Sequence, residues 1–348
     1  MNGQIVWKKV DSLIPGDMAM ETVRTKNDQP PLVHLGQVIT QEVIETLKAN
    51  DVNYLWVQVS QITPPVVSPQ KIEKLKEEMK DIFQSAAEKM QVNKNEIRDL
   101  SSEIVNDIVK NYSDKISLIF LIQQNDEEYT YVHEVHVGMI SVLIGVEIGM
   151  KINDLSRLAF SSIIHDIGKI IVPKEVLYAP RKLTEKEFEM VKKHVEYGAK
   201  ICEKSNVDDP RIISGVRDHH EKLDGTGYLR GLTKDQLGLE PRIVAIADVY
   251  DALISNRSYK PSWSPYKVVS ELVRMASFNK LDKELVQAFV SVVGLYPVGT
   301  TVLLSNGEKA IVIGNTMGHK TRPIVRVASG EYIDLAEENK LSIVQVLD

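Results

Sequence analysis

The stretch SSIIHDIGKIIVP, from Ser161 to Pro173, sets a histidine and an aspartate, His165 and Asp166, in the middle of one of the most apolar runs of the chain. Ile163, Ile164, Ile167, Ile170, Ile171 and Val172 belong in a core, and they carry the pair inside with them. A buried carboxylate is costly unless something pairs with it, so any fold of this chain has to bring compensating groups to Asp166. The candidates are concentrated in one region. Of the eight histidines, six lie between His133 and His220: His133, His136, His165, His194, His219 and His220. A second carboxylate of the same kind, Asp248, stands in the apolar run RIVAIADVYDALIS. Taken singly, each histidine reads as an ordinary core side chain. Taken together they suit a divalent metal, whose charge offsets the buried anions and whose bonds replace lost hydration. One carboxylate can bridge two ions, and a bridged pair suits hydrolysis of a phosphate ester.

Composition narrows the class. The 348 residues suggest two or three domains, and 43% hydrophobic with 26% charged content fits a globular protein with a substantial core. A net charge of -6 argues against a general binder of nucleic-acid polymers but leaves room for a small anionic ligand held by local cations. The single cysteine, Cys202, excludes a disulfide framework and a cysteine metal cluster; it reads as a small packed residue in a reducing compartment. No run approaches about 18 uninterrupted apolar residues, and the opening MNGQIVWKKVD lacks the apolar centre of a signal peptide. A cytoplasmic location without a membrane span is therefore expected.

The pattern along the chain predicts a mainly α protein, with an all-helical core, a small N-terminal α/β module and a small C-terminal β module. Four parts are expected: 1–65, 66–125, 126–293 and 294–348. In the first, Thr40 can cap a helix carrying Val43, Ile44 and Leu47, followed by a strand through YLWVQV. ITPPVVSPQ, with Pro64, Pro65 and Pro69, reads as a stiff linker. The second part has two helical stripes: Ile72, Leu75, Met79, Ile82, Phe83 and Ala86, then Ile97, Leu100, Ile104 and Ile108. Such paired helices pack on a neighbour or form a homodimer seam. The third part reads as helical throughout, apart from a Gly-rich loop at DGTGYLRGL, and the last as β hairpins around Asn306-Gly307 and Ser329-Gly330.

The segments YTYVHEVHVG, IIHDIGKIIVP, VKKHVEYGAKI, RDHHEKLDGTGYLRGL and RIVAIADVYDALISNRSYK occur in an order and spacing that resemble the HD-GYP domain, a branch of the HD phosphohydrolase superfamily. The resemblance runs from about Asp126 to about Val293. LIPGDM and YPVGTTVLLSNGE are similar, more weakly, to pieces often attached to such domains. What the resemblance implies is a buried metal cluster that hydrolyses cyclic di-GMP. Its ligands would be His133, His165, Asp166, His194, His219, His220 and Asp248. Asp166 would bridge two ions, with His133, His165 and Asp248 mainly on one and His194, His219 and His220 mainly on the other. The donor set and the resemblance favour iron, then manganese, with Zn, Ni or Co as further occupants. Lys169 would lie beside the scissile phosphate and, with Asp166, serve catalysis. Arg257 and Lys260 resemble phosphate-gripping cations. Tyr228 and Tyr259 could line a guanine site, or simply pack. His136 matches a position that is not a ligand and reads as a supporting or surface residue; His34 and His319 fall in the outer modules.

Two residues depart from the family pattern. Leu229 replaces the proline of the Gly-Tyr-Pro motif, which should loosen the loop by roughly 0.4–1 kcal/mol. Tyr129 stands where members with three metals have a glutamate, and Glu128 points about 100° away on a helix. Two metals, and the linear product 5′-pGpG, are therefore expected. The function so read is a bacterial cyclic di-GMP phosphodiesterase that lowers a second messenger. The alternatives are a low-turnover cyclic-dinucleotide receptor, reporting to a signalling partner through the Gly-rich loop, and an HD hydrolase of another nucleotide such as cyclic GMP-AMP.

Overall fold

The computed structural model describes residues 3–13, 17–24, 31–34, 37–60, 66–112, 126–255, 263–315 and 319–347. The N-terminal module holds β1 (Gly3–Lys9), β2 (Met18–Ala19), α1 (Gln41–Ala49) and β3 (Tyr54–Ser60), with antiparallel strand order β1-β3-β2. Thr40 starts α1 as its position predicts: its Oγ1 accepts from the Val43 N–H at 3.2 Å, and Ile44 and Leu47 are buried. Residues 61–65, including Pro64 and Pro65, lie outside the described residues. Pro69 opens α2 (Pro69–Lys89) at a position where a missing N–H costs nothing.

The stripes of α2 and of α3 (Lys94–Asn111) are buried within the chain. Ile72, Leu75, Met79, Ile97, Leu100, Ile104 and Ile108 join one core with α4 (Asp126–Glu147) and α5 (Ile152–Ile163). These faces are therefore spent within the chain's own core. Helix α4 is buried on nearly all sides from Tyr129 to Gly145, as its lack of a polar face requires. Helices α10 (Leu239–Ile254) and α12 (Lys283–Val293) pack on it, and α6 (Lys174–Leu177), α7 (Glu185–Lys192), α8 (His194–Lys204), α9 (Pro210–Asp218) and α11 (Pro265–Ser277) complete the helical body. Cys202 is fully buried on α8.

The HDIGK run departs from the expected uninterrupted helix. Helix α5 ends at Ile163, His165 and Asp166 stand in a turn, and Ile167–Ile171 form a 3-10 turn. The break turns both side chains inward. Lys169 keeps its place over Asp166, because residues three apart eclipse in a 3-10 turn. Gly168 makes the approach to α8 feasible: a Cβ there would lie 1.9 Å from the His194 carbonyl oxygen.

The C-terminal strands β4 (Thr301–Leu304), β5 (Lys309–Gly314), β6 (Ile324–Val327), β7 (Tyr332–Asp334) and β8 (Ile343–Val346) form an antiparallel sheet of order β7-β6-β5-β4-β8. Gly307 and Gly330 take the expected turns at φ 86° and 88°. The two outer modules share a core. Ala310 and Val312 pack inside the C-terminal sheet, while Ile311, Ile313 and Ile324 pack against Leu55, Val57 and Ile39 of the N-terminal module. Arg326 reaches across the same boundary to Asp17 at 2.6 Å, with Lys8 3.6 Å from the other oxygen, all three side chains buried. Among the described residues, no helix is long and apolar enough to cross a membrane.

Candidate metal centre

Three of the histidines are oriented by one local device. A helix ends with carbonyl groups that have no intrahelical donor, and a histidine just past the end supplies one. His165 Nδ1 lies 2.8 Å from the Ser162 carbonyl oxygen, His194 Nδ1 2.7 Å from that of Val191, and His219 Nδ1 2.9 Å from that of Val216. A carbonyl only accepts, so each Nδ1 carries a proton, and in the neutral ring or on a metal each Nε2 presents its lone pair. Those lone pairs turn toward Asp166. Its Oδ1 is 3.0 Å from His194 Nε2 and 3.8 Å from His219 Nε2; its Oδ2 is 3.6 Å from His165 Nε2 and 3.9 Å from His133 Nε2.

The remaining groups close the cluster. From α10, Asp248 places Oδ1 3.4 Å from His133 Nε2 and Oδ2 3.7 Å from His220 Nδ1. The ligand atoms fall into two groups, each able to hold an ion: His133, His165 and Asp166, and Asp166, His194, His219 and His220. Six of the seven residues named from the sequence fall in these groups, with Asp166 common to both, and Asp248 lies beside them against His133 and His220. Lys169 contacts Asp166 Oδ2, and the Tyr228 ring lies over His220 at 4.7 Å between centroids. Arg257, Tyr259 and Lys260 lie outside the described residues.

The arrangement fits a metal centre on its donor chemistry. His194 Nε2 and His219 Nε2 face each other at 3.5 Å, and His165 Nε2 and Asp166 Oδ1 are buried without a hydrogen-bond partner. Lone pairs turned on one another in a dry interior repel, and a cation at their focus removes the conflict. Four carboxylates, Glu134, Asp166, Asp248 and Asp251, are buried among these imidazoles. Burial raises the Asp166 carboxyl, but Lys169 and His165 outweigh it and hold it well below its usual range. Burial likewise raises Asp248, and the His133 hydrogen bond and His220 reverse the shift. Burial pushes His220 down to about 3, and burial with the neighbouring His220 lowers His219, so both are neutral and available as ligands. His165 goes the other way: burial disfavours its charge, yet Glu134 and Asp166 carry it to about 10. A proton and a metal ion answer the same excess of negative charge there.

Two functional-looking carboxylates escaped the sequence reading. Asp251 lies 2.6 Å from His133 Nδ1 and 2.8 Å from His136 Nδ1, and its Oδ2 accepts from the Tyr129 hydroxyl at 2.9 Å. Glu134 Oε2 lies 2.9 Å from His165 Nδ1. Such groups orient ligand imidazoles and raise their basicity. The signal was present: Asp251 follows Asp248 by three residues in an apolar helix, and Glu134 adjoins His133 in another. His136 is a buried partner of Asp251, not a surface residue. The Gly-rich loop is held by Glu221, whose Oε1 accepts from the Arg230 N–H at 2.6 Å and Oε2 from the Leu232 N–H at 3.0 Å. This anchoring does not involve the side chain at 229.

Comparison with known proteins places the same region. The family described as HD domain matches residues 118–285. A cyclic di-GMP phosphodiesterase of Pseudomonas aeruginosa is 34% identical over 216 residues, covering 62% of this chain and 51% of that protein. One from Borreliella burgdorferi is 27% identical over 224 residues, covering 64% of this chain and 59% of that protein. A 3′3′-cGAMP-specific phosphodiesterase of Vibrio cholerae is 37% identical over 126 residues, covering 36% of this chain and 24% of that protein. The chain spans about half the length of the Pseudomonas and Borreliella relatives.

Proposed function

We propose that this chain, whose residues 118–285 match the HD-domain family, is a metal-dependent phosphodiesterase of the HD-GYP type that opens cyclic di-GMP to linear 5′-pGpG. The observation that carries the reading is the convergence of imidazole Nε2 lone pairs on Asp166, a buried carboxylate with an unpartnered oxygen. In this reading His133, His165, Asp166, His194, His219, His220 and Asp248 would hold two divalent ions, iron before manganese, with Asp166 the residue common to both groups. Such ions, when bound, would supply Lewis-acid charge and lower the pKa of a water toward neutrality.

The chain's own groups do the rest. Lys169 lies at the mouth, 23% exposed, against Asp166 Oδ2, where its charge can face a nonbridging phosphate oxygen and steady the negative charge that grows in the transition state. Tyr228 gives the site an aromatic wall beside His220. Arg257 and Lys260 are assigned to the outer phosphate. The stop at pGpG rests on Tyr129: a neutral phenol, hydrogen-bonded to Asp251 Oδ2, stands where a third ion would need a carboxylate. A cytoplasmic location is part of the same proposal, since a second messenger is met there.

The test is to incubate the iron- or manganese-loaded protein with cyclic di-GMP and with 3′3′-cyclic GMP-AMP and to separate the products by chromatography. Accumulation of pGpG from cyclic di-GMP is expected. Cleavage of cyclic GMP-AMP alone moves the assignment to the other nucleotide. Tight binding of either without product, at full metal content, makes the protein a receptor.

A further inference from the structure

Helix α7 buries none of its eight residues, yet it holds Phe188 at 48% exposure beside the metal centre. Its position is defined at both ends. Thr184 Oγ1 accepts from the Glu187 N–H at 3.3 Å, and the Glu187 carboxylate accepts from the Thr184 N–H and takes both terminal nitrogens of Arg181, each at 2.8 Å. At the other end, the Val191 carbonyl receives His194. Nothing in the packing of α7 accounts for an aromatic ring left half in water.

Its neighbours do account for it. Phe188 meets the Tyr228 ring edge to face at 6.3 Å, and Tyr228 in turn lies on His220. Lys192 Nζ is 5.4 Å from the centre of the Phe188 ring and 5.8 Å from that of Tyr228, while pairing with Glu189 at 2.5 Å. A row of rings thus runs outward from a candidate ligand of the cluster, with an ammonium group along it. A metal centre grips only the phosphate of a nucleotide, so the attached base has to lie on the surface beside it. Every base has a π-face, and an aromatic platform takes it by stacking.

We propose that Phe188 and Lys192 on α7 complete, with Tyr228, a purine-binding platform. The exposed part of Phe188 receives a base of the cyclic dinucleotide, and Lys192 attracts the ribose-phosphate passing between the two rings. This inference rests on the phosphodiesterase reading above and adds the surface that selects a nucleotide over a simple diester.

The experiment compares Phe188→Ala, Phe188→Trp and Lys192→Gln with the unaltered full chain, all metal-loaded. Each is assayed on cyclic di-GMP and on bis(p-nitrophenyl) phosphate, a diester without a base, alongside metal content. In Phe188→Ala, kcat/KM for cyclic di-GMP is expected to fall roughly 5- to 100-fold relative to the base-free diester, mostly through KM. Lys192→Gln should shift the same ratio in the same direction, and Phe188→Trp should restore it. An unchanged ratio in both Phe188→Ala and Lys192→Gln overturns the platform alone. Loss of metal, or an equal loss on both substrates, also overturns it, because α7 would then act only by supporting His194. If the unaltered protein cleaves the base-free diester but neither binds nor cleaves cyclic di-GMP, the substrate reading fails and the platform with it.

Discussion

The carboxylate of Asp251 lies 2.6 Å from Nδ1 of His133, on the side of the ring away from the cluster. Three residues earlier on the same helix, Asp248 faces the other ring nitrogen at 3.4 Å. One turn of α10 therefore grips His133 from both edges. Asp251→Asn keeps the shape but removes the charge that orients the ring and makes it a stronger ligand. Metal affinity is expected to drop about 10- to 100-fold. Competitive chelation measures it, and an affinity equal to that of the unaltered protein would show that Asp251 serves packing alone.

Asp166 is the residue common to both ligand groups. Asp166→Asn should reduce metal content and bring turnover to background, since an amide supplies neither the charge nor the second donor that a bridge requires. Elemental analysis and a turnover assay on the same preparation decide it. Full occupancy with near-normal activity would refute the cluster.

Tyr129 donates to Asp251 Oδ2 and lies 3.2 Å from His133 Nδ1. Tyr129→Glu removes that donor and sets a second carboxylate beside Asp251. Two buried anions at that distance call for a cation. The expected result is metal content rising from two ions per chain to three, with GMP appearing after pGpG. Three ions in the unaltered protein would remove the argument from Tyr129. An unchanged count in the variant would show that a carboxylate at this position is not sufficient.

The Gly-rich loop gives a paired prediction. Because Glu221 accepts the Arg230 and Leu232 amides, Glu221→Ala should leave two backbone donors unpaired at about 1–3 kcal/mol each and speed amide exchange at those two residues. Leu229→Pro should change stability by no more than about 1 kcal/mol and leave metal content alone. Hydrogen exchange that responds to the proline and not to the loss of Glu221 would reverse the roles assigned here.

Asp17 and Arg326 link the first and last modules through a buried ion pair. Asp17→Ala leaves the guanidinium buried without this partner, and a broken pair of this kind costs about 3–5 kcal/mol. The outer modules should unfold at distinctly lower denaturant while the helical body keeps its metal. A shift below about 0.5 kcal/mol, the scale of an ordinary surface substitution, would mean that water reaches the pair.

The amino-acid sequence by itself determined the helical core, the C-terminal hairpins and the buried His165-Asp166 pair, and the family resemblance proposed the seven residues of the candidate cluster. The reasons are local. Apolar residues at helical spacing have to face a core, Asn306-Gly307 and Ser329-Gly330 suit tight turns, and histidines and aspartates set in apolar runs have to be compensated inside. The break at Ile163 was decided by the fold, because the close approach of Gly168 to α8 and the inward turn of Asp166 depend on contacts distant in sequence. Asp251 and Glu134 acquired meaning only when α10 met α4 and α4 met the turn after α5, for a carboxylate in an apolar helix does not announce which imidazole it will hold. The union of the outer modules has the same origin. The apolar run of β5 says that both its faces are covered, but only the tertiary structure sets Ile311 and Ile313 against the N-terminal sheet and Ala310 and Val312 against its own. Periodicity reports which face of an element is buried; the partner on that face is chosen by the whole chain's packing.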